Sequence, residues 1–239
     1  MEKRERLYEG KAKIAFATDD PGLVIFEFKD AATAFDGKKK GTILGKGAVN
    51  ARISAVLFKY LEERGIPTHF KELLSPVDML ALKVEIIPVE VVMRNIVAGS
   101  LSKRLGIEEG RSLDEPVLEF YYKSDELGDP MINQYHVRAM KLASDDELLR
   151  IVELSFAIDR HLKGFFAARK LELVDFKLEF GRRGGDVYLA DEISPDTCRL
   201  WDMSTREKLD KDRFRRDLGG VEDAYQEVLR RVEGPGEQS

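Results

Sequence analysis

Leu171-Glu172-Leu173-Val174-Asp175-Phe176-Lys177-Leu178-Glu179-Phe180 is followed by Gly181-Arg182-Arg183-Gly184-Gly185 and then by Asp186-Val187-Tyr188-Leu189-Ala190-Asp191-Glu192-Ile193. Successive side chains of a strand point to opposite faces. Val174, Phe176, Leu178 and Phe180 therefore share a face suited to a core, and Asp175, Lys177 and Glu179 share the other. The glycine-rich segment between the runs has turn chemistry, so the whole stretch predicts a β-hairpin. With residues 181–185 as the turn, Phe180 pairs with Asp186, Glu179 with Val187 and Asp175 with Asp191. Asp191 then joins Asp175, Lys177 and Glu179. Carboxylates directly opposed with Cβ atoms about 5 Å apart repel unless something neutralises them. A divalent cation that prefers hard oxygen ligands does so, and Mg²⁺ bridging to phosphates is the natural candidate. The bland alternative is a solvated polar face, and a slip of one residue would turn Asp191 to the other side.

Outward from the hairpin, strand and helix patterns follow one another without a βαβ rhythm. Lys11 to Ala17 and Leu23 to Asp30 read as strands joined by Asp19-Asp20-Pro21-Gly22. Val49, Ile53, Val56, Leu57, Tyr60 and Leu61 recur at helical spacing, which predicts a helix from Lys46 to Arg64 stopped by Gly65 and Pro67. Thr68 to Glu85 forms two strands around Ser75-Pro76, Pro88 to Ala98 another, Ser100 to Leu105 a short helix and Val117 to Lys123 a strand within a loop-like stretch. Ser144 with Glu147 makes a capping box for the longest helix, whose stripe is Leu148, Ile151, Val152, Ser155, Phe156, Ile158, Leu162, Phe165 and Phe166. A last amphipathic helix covers Val221 to Val232, and residues 234–239 read as a disordered tail. The pattern predicts an α+β fold in two lobes, a β-rich lobe over 1–87 and an α+β lobe over 88–233, with a ligand cleft between them.

The chain has 239 residues, 43% hydrophobic and 35% charged, with a formal net charge of −5. Duplex nucleic-acid binders usually carry a basic surplus, so this balance argues against that role while leaving room for a local basic pocket. The single cysteine, Cys198, cannot form an intrachain disulfide, and with His69, His136 and His161 it gives no zinc pattern. Met1 to Arg6 is charged and lacks the apolar core of a secretory signal. No apolar run approaches the roughly 20 residues that span a bilayer. The expected address is the cytoplasm.

Gly41-Thr42-Ile43-Leu44-Gly45-Lys46-Gly47 looks like a Walker A loop but is one spacer residue short and has Gly47 where the metal-holding Ser or Thr belongs. No complete G-x-G-x-x-G is present either. The three histidines are scattered and read as surface or packing residues. Lys11 and Lys13 project to one side after Gly10, an arrangement that suits a triphosphate or, equally, a protected edge strand. Arg94 precedes Gly99-Ser100 and a short helix, where Ser100 either adds to an anion site or caps the helix. The polar loop Asp191-Glu192-Ile193-Ser194-Pro195-Asp196-Thr197-Cys198-Arg199 could present Asp196 and Arg199 to a ligand, whereas Lys208 to Arg216 reads as solvated surface.

Taken in order, several long segments resemble SAICAR synthetases nearly end to end. They are Leu7 to Lys13, Ile87 to Ser100, Asp125 to Pro130, Leu173 to Gly181 and Asp191 to Asp196, with no departure at the motif positions. The resemblance implies a reaction in which ATP, a carboxylated aminoimidazole ribotide (CAIR) and L-aspartate become ADP, phosphate and SAICAR. It implies Mg²⁺ at Glu179 and Asp191 with Asp175 nearby, and Lys11, Lys13 and Gly10 beside the ATP phosphates. Arg94, Ser100, Asp196 and Arg199 would bind the ribotide, and Lys177 would sit among the reacting groups. Lys123 and Asp129 would belong to the site without an assigned role. Homo-oligomers, a dimer first, are also implied. Such chemistry needs positioning and charge neutralisation rather than a nucleophile triad. Two rivals make other predictions: a small-molecule kinase would accumulate a phosphorylated product without aspartate, and an RNA-binding module would bind with steep salt dependence and no ATP turnover.

Overall fold

The computed structural model describes residues 1–34 and 39–234, so residues 235–239 of the expected disordered tail lie outside the described part. The first sheet begins with β1 (Arg6–Glu9), β2 (Lys13–Ala17) and β3 (Leu23–Phe28). The turn between β2 and β3 is closed by its own polar side chains: the Asp20 carboxylate accepts from Gly22 N at 2.7 Å. A ribbon of β4 (Ala31–Ala34) and β5 (Lys39–Thr42) leads into α1 (Lys46–Glu62), which buries Val49, Ile53, Leu57 and Leu61 as the helical spacing predicts. β6 (Phe70–Leu73) and β7 (Asp78–Leu82) complete an antiparallel sheet in the order β1-β2-β3-β7-β6.

The second sheet starts with β8 (Glu85–Ile96). The boundary expected at 87/88 therefore falls inside a strand, and the change of sheet comes at Lys83-Val84. After β8 come α2 (Gly99–Leu105), β9 (Ser112–Tyr122), β10 (Met131–Ile132) and α3 (Gln134–Ala139). α4 (Asp145–Ala167) carries the predicted capping box: Ser144 Oγ accepts from Glu147 N at 3.2 Å and Ser144 N donates back to Glu147 at 2.8 Å. Its buried stripe includes Leu154 rather than Phe156, which is 38% exposed because it lies one residue past the inward-facing Ser155.

β11 (Leu171–Arg183), β12 (Asp186–Ala190) and β13 (Cys198–Asp202) follow, then α5 (Asp212–Arg215) and α6 (Val221–Glu233). The sheet order is β10-β9-β8-β11-β12, with β13 beside the first half of β11. All these ladders are antiparallel, so the architecture is α+β as expected.

The hairpin forms with a tighter turn than predicted. Arg183 pairs with Asp186 across Gly184-Gly185, both at positive φ (60° and 92°). Two glycines tolerate that backbone and match the twist of the strands, so the two-residue turn wins. Glu179 consequently faces Ala190, not Val187, and Asp175 faces strands other than β12. The solvated-face alternative also fails, since Asp175 is 3% and Glu179 5% exposed.

One apolar cluster runs through both sheets and includes Phe28, Leu57, Val91, Phe176 and Val228, with α6 packed on α1. Thr68 bridges to Leu189, lacing the edge of the first sheet to β12. The segment 208–216, expected as solvated surface, buries Leu209, Asp210 and Asp212. Among the described residues no helix is long and apolar enough to cross a membrane.

Candidate active site

Alternate residues of β11 organise the polar side of the second sheet. Asp175 lies in register with Arg94 on β8 and with Arg199 on β13. Its carboxylate accepts from Arg94 Nη1 at 2.8 Å and from Arg199 Nη1 at 2.7 and 3.0 Å. Each arginine is pinned on its far side as well. Arg94 Nε donates to Glu119 at 2.7 Å and Nη2 to Ser100 Oγ at 2.9 Å, while Arg199 Nε donates to Asp212 at 3.0 Å. Buried charges persist only when paired and hydrogen-bonded in this way. Gly99 makes room for the arrangement: its φ is +53°, and a Cβ there would lie 2.5 Å from Arg199 Nη2.

Two and four residues further along β11 stand Lys177 and Glu179. Lys177 Nζ donates to Glu179 at 2.6 Å and to Glu90 at 3.0 Å, and lies 3.8 Å from Asp191. Glu179 and Glu90 are cross-strand neighbours whose repulsion Lys177 relieves. Lys123 adds a second ammonium 3.0 Å from Glu179. Asp191 follows β12 in a left-handed conformation, φ 61°, and pairs with Lys13, whose Nζ is also 3.2 Å from Glu192. Burial alone would raise the Asp191 carboxyl; Lys13 and Lys177 outweigh it and hold the pKa below the ordinary range. Burial likewise works against charge on Lys177, yet Glu179, Asp191 and Glu90 push its pKa well up, so it remains an ammonium.

These groups line one cavity of about 1190 Å³, together with Lys11, Gly10, Ser100 and Asp129. Lys11 is at its exposed mouth, 2.7 Å from Asp125, beside a tight turn in which Gly10 N donates to Lys13 O at 2.8 Å. Asp129 accepts from Ser124 N at 2.8 Å and shapes the loop that follows Lys123.

The structure corrects one expectation and shows a second residue already engaged. Asp175 does not join Asp191; the shorter hairpin turn commits it to the two arginines. Asp196 borders the cavity, but Lys46 donates to one of its oxygens at 2.7 Å and Tyr225 to the other at 2.6 Å. That carboxylate ties α1 and α6 to the loop before β13 rather than offering a free acceptor. Lys46, the lysine of the false Walker loop, is thus a buried structural cation, 1% exposed.

Sequence reasoning missed Glu90, Glu119, Glu192 and Asp212. Glu90 and Glu119 sit in strands read only for their apolar residues. Alternation along β8, which sets Glu90 against Glu179, was the signal that could have found it. His69 is a buried residue as expected, and burial beside Lys13 pushes its pKa down to about 3, so its imidazole is neutral. Burial pushes the Cys198 thiol far up, which removes it as a nucleophile.

The residues present fit a magnesium ion. Glu90, Glu179, Asp191 and Glu192 face Lys13, Lys123 and Lys177, a formal surplus of one negative charge. Among the described residues no group of three or more His, Cys, Asp or Glu is placed to hold a metal ion by itself. Magnesium suits such a partial site because it takes one or two carboxylates and completes its shell with water and phosphate oxygens.

The SAICAR synthetase family profile matches residues 6–232. The phosphoribosylaminoimidazole-succinocarboxamide synthase of Coprothermobacter proteolyticus is 61% identical over 233 residues, covering 97% of this chain and 99% of that protein. The crystal structure of the synthase from Ehrlichia chaffeensis superposes with a TM-score of 0.95 at 48% identity, over 98% of this chain and 100% of that one. A SAICAR synthetase in complex with ADP gives a TM-score of 0.94 at 50% identity, with 98% and 100% covered. With its fold, its motifs and its whole length in agreement, the chain belongs to the SAICAR synthetase family.

Proposed function

We propose that this protein is an ATP-dependent ligase of purine biosynthesis that joins L-aspartate to the carboxylate of CAIR, giving SAICAR, ADP and phosphate. The observation that carries the reading is that one strand, β11, brings a lysine–carboxylate cluster and an arginine pair into one cavity within five residues, Asp175 to Glu179. The cluster suits a nucleotide's terminal phosphates and a carboxylate. The arginine pair suits a phosphate monoester, which guanidinium groups bind through forked donors. The ADP complex of a close structural relative supports nucleotide binding in the same fold.

A carboxylate is a poor electrophile because oxide would have to leave. Transfer of the γ-phosphoryl group to a CAIR carboxylate oxygen gives an acyl phosphate. Aspartate's ammonium gives up one proton to become the attacking amine. The amine adds to the carbonyl carbon, the C–N bond forms, the C–O bond to phosphate breaks and the nitrogen releases a second proton, leaving an amide N–H. Lys11, Lys13 and the Gly10 turn hold the ATP phosphates. Arg94, Ser100 and Arg199 hold the ribotide phosphate, oriented by Asp175. Lys177 and Lys123 face the reacting carboxylate, and Asp129 fixes the loop at the mouth. Glu179 and Asp191 would hold Mg²⁺, which when bound neutralises phosphate charge. Fixed charges of this kind act without reorganising during the reaction.

The reading includes a cytoplasmic enzyme acting on small molecules, without nucleic-acid or membrane partners. It also includes a homodimer, supported by the exposed apolar side chains of Leu127, Met131, Tyr135 and Met140. The test is incubation with ATP, CAIR and L-aspartate. SAICAR, ADP and phosphate should form in equal amounts, and ¹⁸O in the CAIR carboxylate should appear in the phosphate. A stable phosphorylated product without aspartate would make it a kinase instead.

A further inference from the structure

Lys13 is held between two carboxylates, and they are not equivalent. Asp191 is one of the two acids placed to take a divalent cation. Glu192, its neighbour in sequence, is 4% exposed. Glu192 lies 3.2 Å from Lys13 through Oε1, and its Oε2 accepts from Ser194 Oγ at 2.6 Å. Ser194 is itself 1% exposed and its Oγ accepts from Asp196 N at 3.1 Å. Asp196 is anchored by Lys46 on α1 and Tyr225 on α6. A continuous polar string thus runs from two helices, through Asp196, Ser194 and Glu192, to the ammonium of Lys13.

We propose that Glu192, oriented by Ser194, is a positioning residue that keeps Lys13 aimed at the nucleotide phosphates once Asp191 is committed to a divalent cation. A lysine has four rotatable bonds and no fixed donor plane, so a single remaining partner decides where its charge stands. In this structure both Asp191 and Glu192 contact the Lys13 ammonium. With Asp191 engaged elsewhere, Glu192 is the one of the pair still available. The Ser194 hydroxyl fixes the carboxylate rotamer, and the helices fix Ser194 through Asp196. The inference rests on the proposed placement of Lys13 beside ATP phosphates.

Glu192 also carries a negative charge, whose removal would by field alone tighten phosphate binding. Positioning predicts the opposite sign, so the two effects separate. ADP affinity is measured by calorimetry with saturating Mg²⁺ for Glu192→Gln, Ser194→Ala and Lys13→Ala, and for each of the first two combined with Lys13→Ala. Glu192→Gln preserves volume and an acceptor for Ser194, and Ser194→Ala leaves the Glu192 charge in place. Each should weaken ADP binding about fivefold to tenfold alone, and neither should weaken it further when Lys13 is absent, because groups acting through one another are not additive. Equal losses with and without Lys13, or tighter binding in Glu192→Gln, would overturn the proposal. Should Glu192→Gln fail to fold, the Ser194→Ala pair decides by the same criterion. If Lys13→Ala alone binds ADP as the parent does, the placement of Lys13 at the phosphates is wrong, and the inference goes with it. If Lys13 matters while Glu192 and Ser194 do not, only the inference fails.

Discussion

Asp175 and Arg94 face one another across β11 and β8, joined at 2.8 Å and both almost fully buried. Arg199 reaches the same carboxylate from β13, so one acid sets two guanidinium groups side by side. Asp175→Asn keeps the shape and removes the charge. Breaking a buried pair costs about 3 kcal/mol or more because the surviving charge loses its partner. Here two arginines lose it together. The expected outcome is a stability loss of that order in urea and a KM for CAIR raised at least tenfold, with the KM for ATP little changed. A variant whose ATP KM rises instead would show that the arginine pair does not serve the ribotide.

Glu179→Gln and Asp191→Asn address the metal assignment. Each removes one of the hard oxygen anions around Lys177 while keeping the hydrogen-bonding shape. Loss of a fixed electrostatic contact to developing charge lowers kcat by about 10²–10³. Both variants should fold, as judged by circular dichroism, and both should need far more Mg²⁺ for half-maximal rate. Parent-like activity in both would refute Glu179 and Asp191 as the magnesium ligands.

How much of this was legible beforehand differed by the range of the interaction. The helices at Lys46 and Ser144 were readable because apolar spacing and the Ser144–Glu147 cap are local. The hairpin was readable as a hairpin, but not its register. Gly181 to Gly185 offers several turn lengths, and the shortest forms because Gly184 and Gly185 both take positive φ and match the strand twist. That choice moved Asp175 away from Asp191. Alternation along β11 put Lys177 and Glu179 on one face, where they meet with Asp191 nearby; the pairing of Lys13 with Asp191 was not foreseen, because it joins the two sheets. Asp212 was misread because the charge-rich run Lys208 to Arg216 looks solvated in sequence, whereas Arg199 and Arg215 draw its acid inward.

Gly99→Ala tests the close approach beside Arg199. The substitution forces a side chain into the left-handed region, which costs roughly 1–2 kcal/mol. It also sets a methyl 2.5 Å from Arg199 Nη2, so the guanidinium must move. The expected result is a modest stability loss with a rise of about tenfold in the KM for CAIR. Unchanged KM would mean that Arg199 yields without cost and is not held for binding.

Asp212 gives a prediction with a sign in pH. Burial would raise its carboxyl, but Arg199 and Arg215 bring the pKa down to about 2 from the ordinary 3.8. A folded-state pKa below the unfolded one contributes stability that is complete above pH 3.8 and is lost as pH falls through 2. The contribution is about 2 kcal/mol. Its neighbour Asp210 runs the other way: burial and the Asp212 charge lift its pKa to about 7, so its contribution is present below 3.8 and lost as pH rises through 7. The two groups therefore act in separate windows, below and above pH 3.8. Asp212→Asn should destabilise the protein in urea at pH 6, and the difference from the parent should shrink steadily from pH 4 towards pH 2. Asp212→Asn also withdraws the anion nearest Asp210, so the decline in stability between pH 4 and 7 should become shallower than in the parent. A difference that stays constant from pH 6 down to 3 would show that Asp212 is not held ionised by the arginines, and that Arg199 is aimed by Asp175 alone.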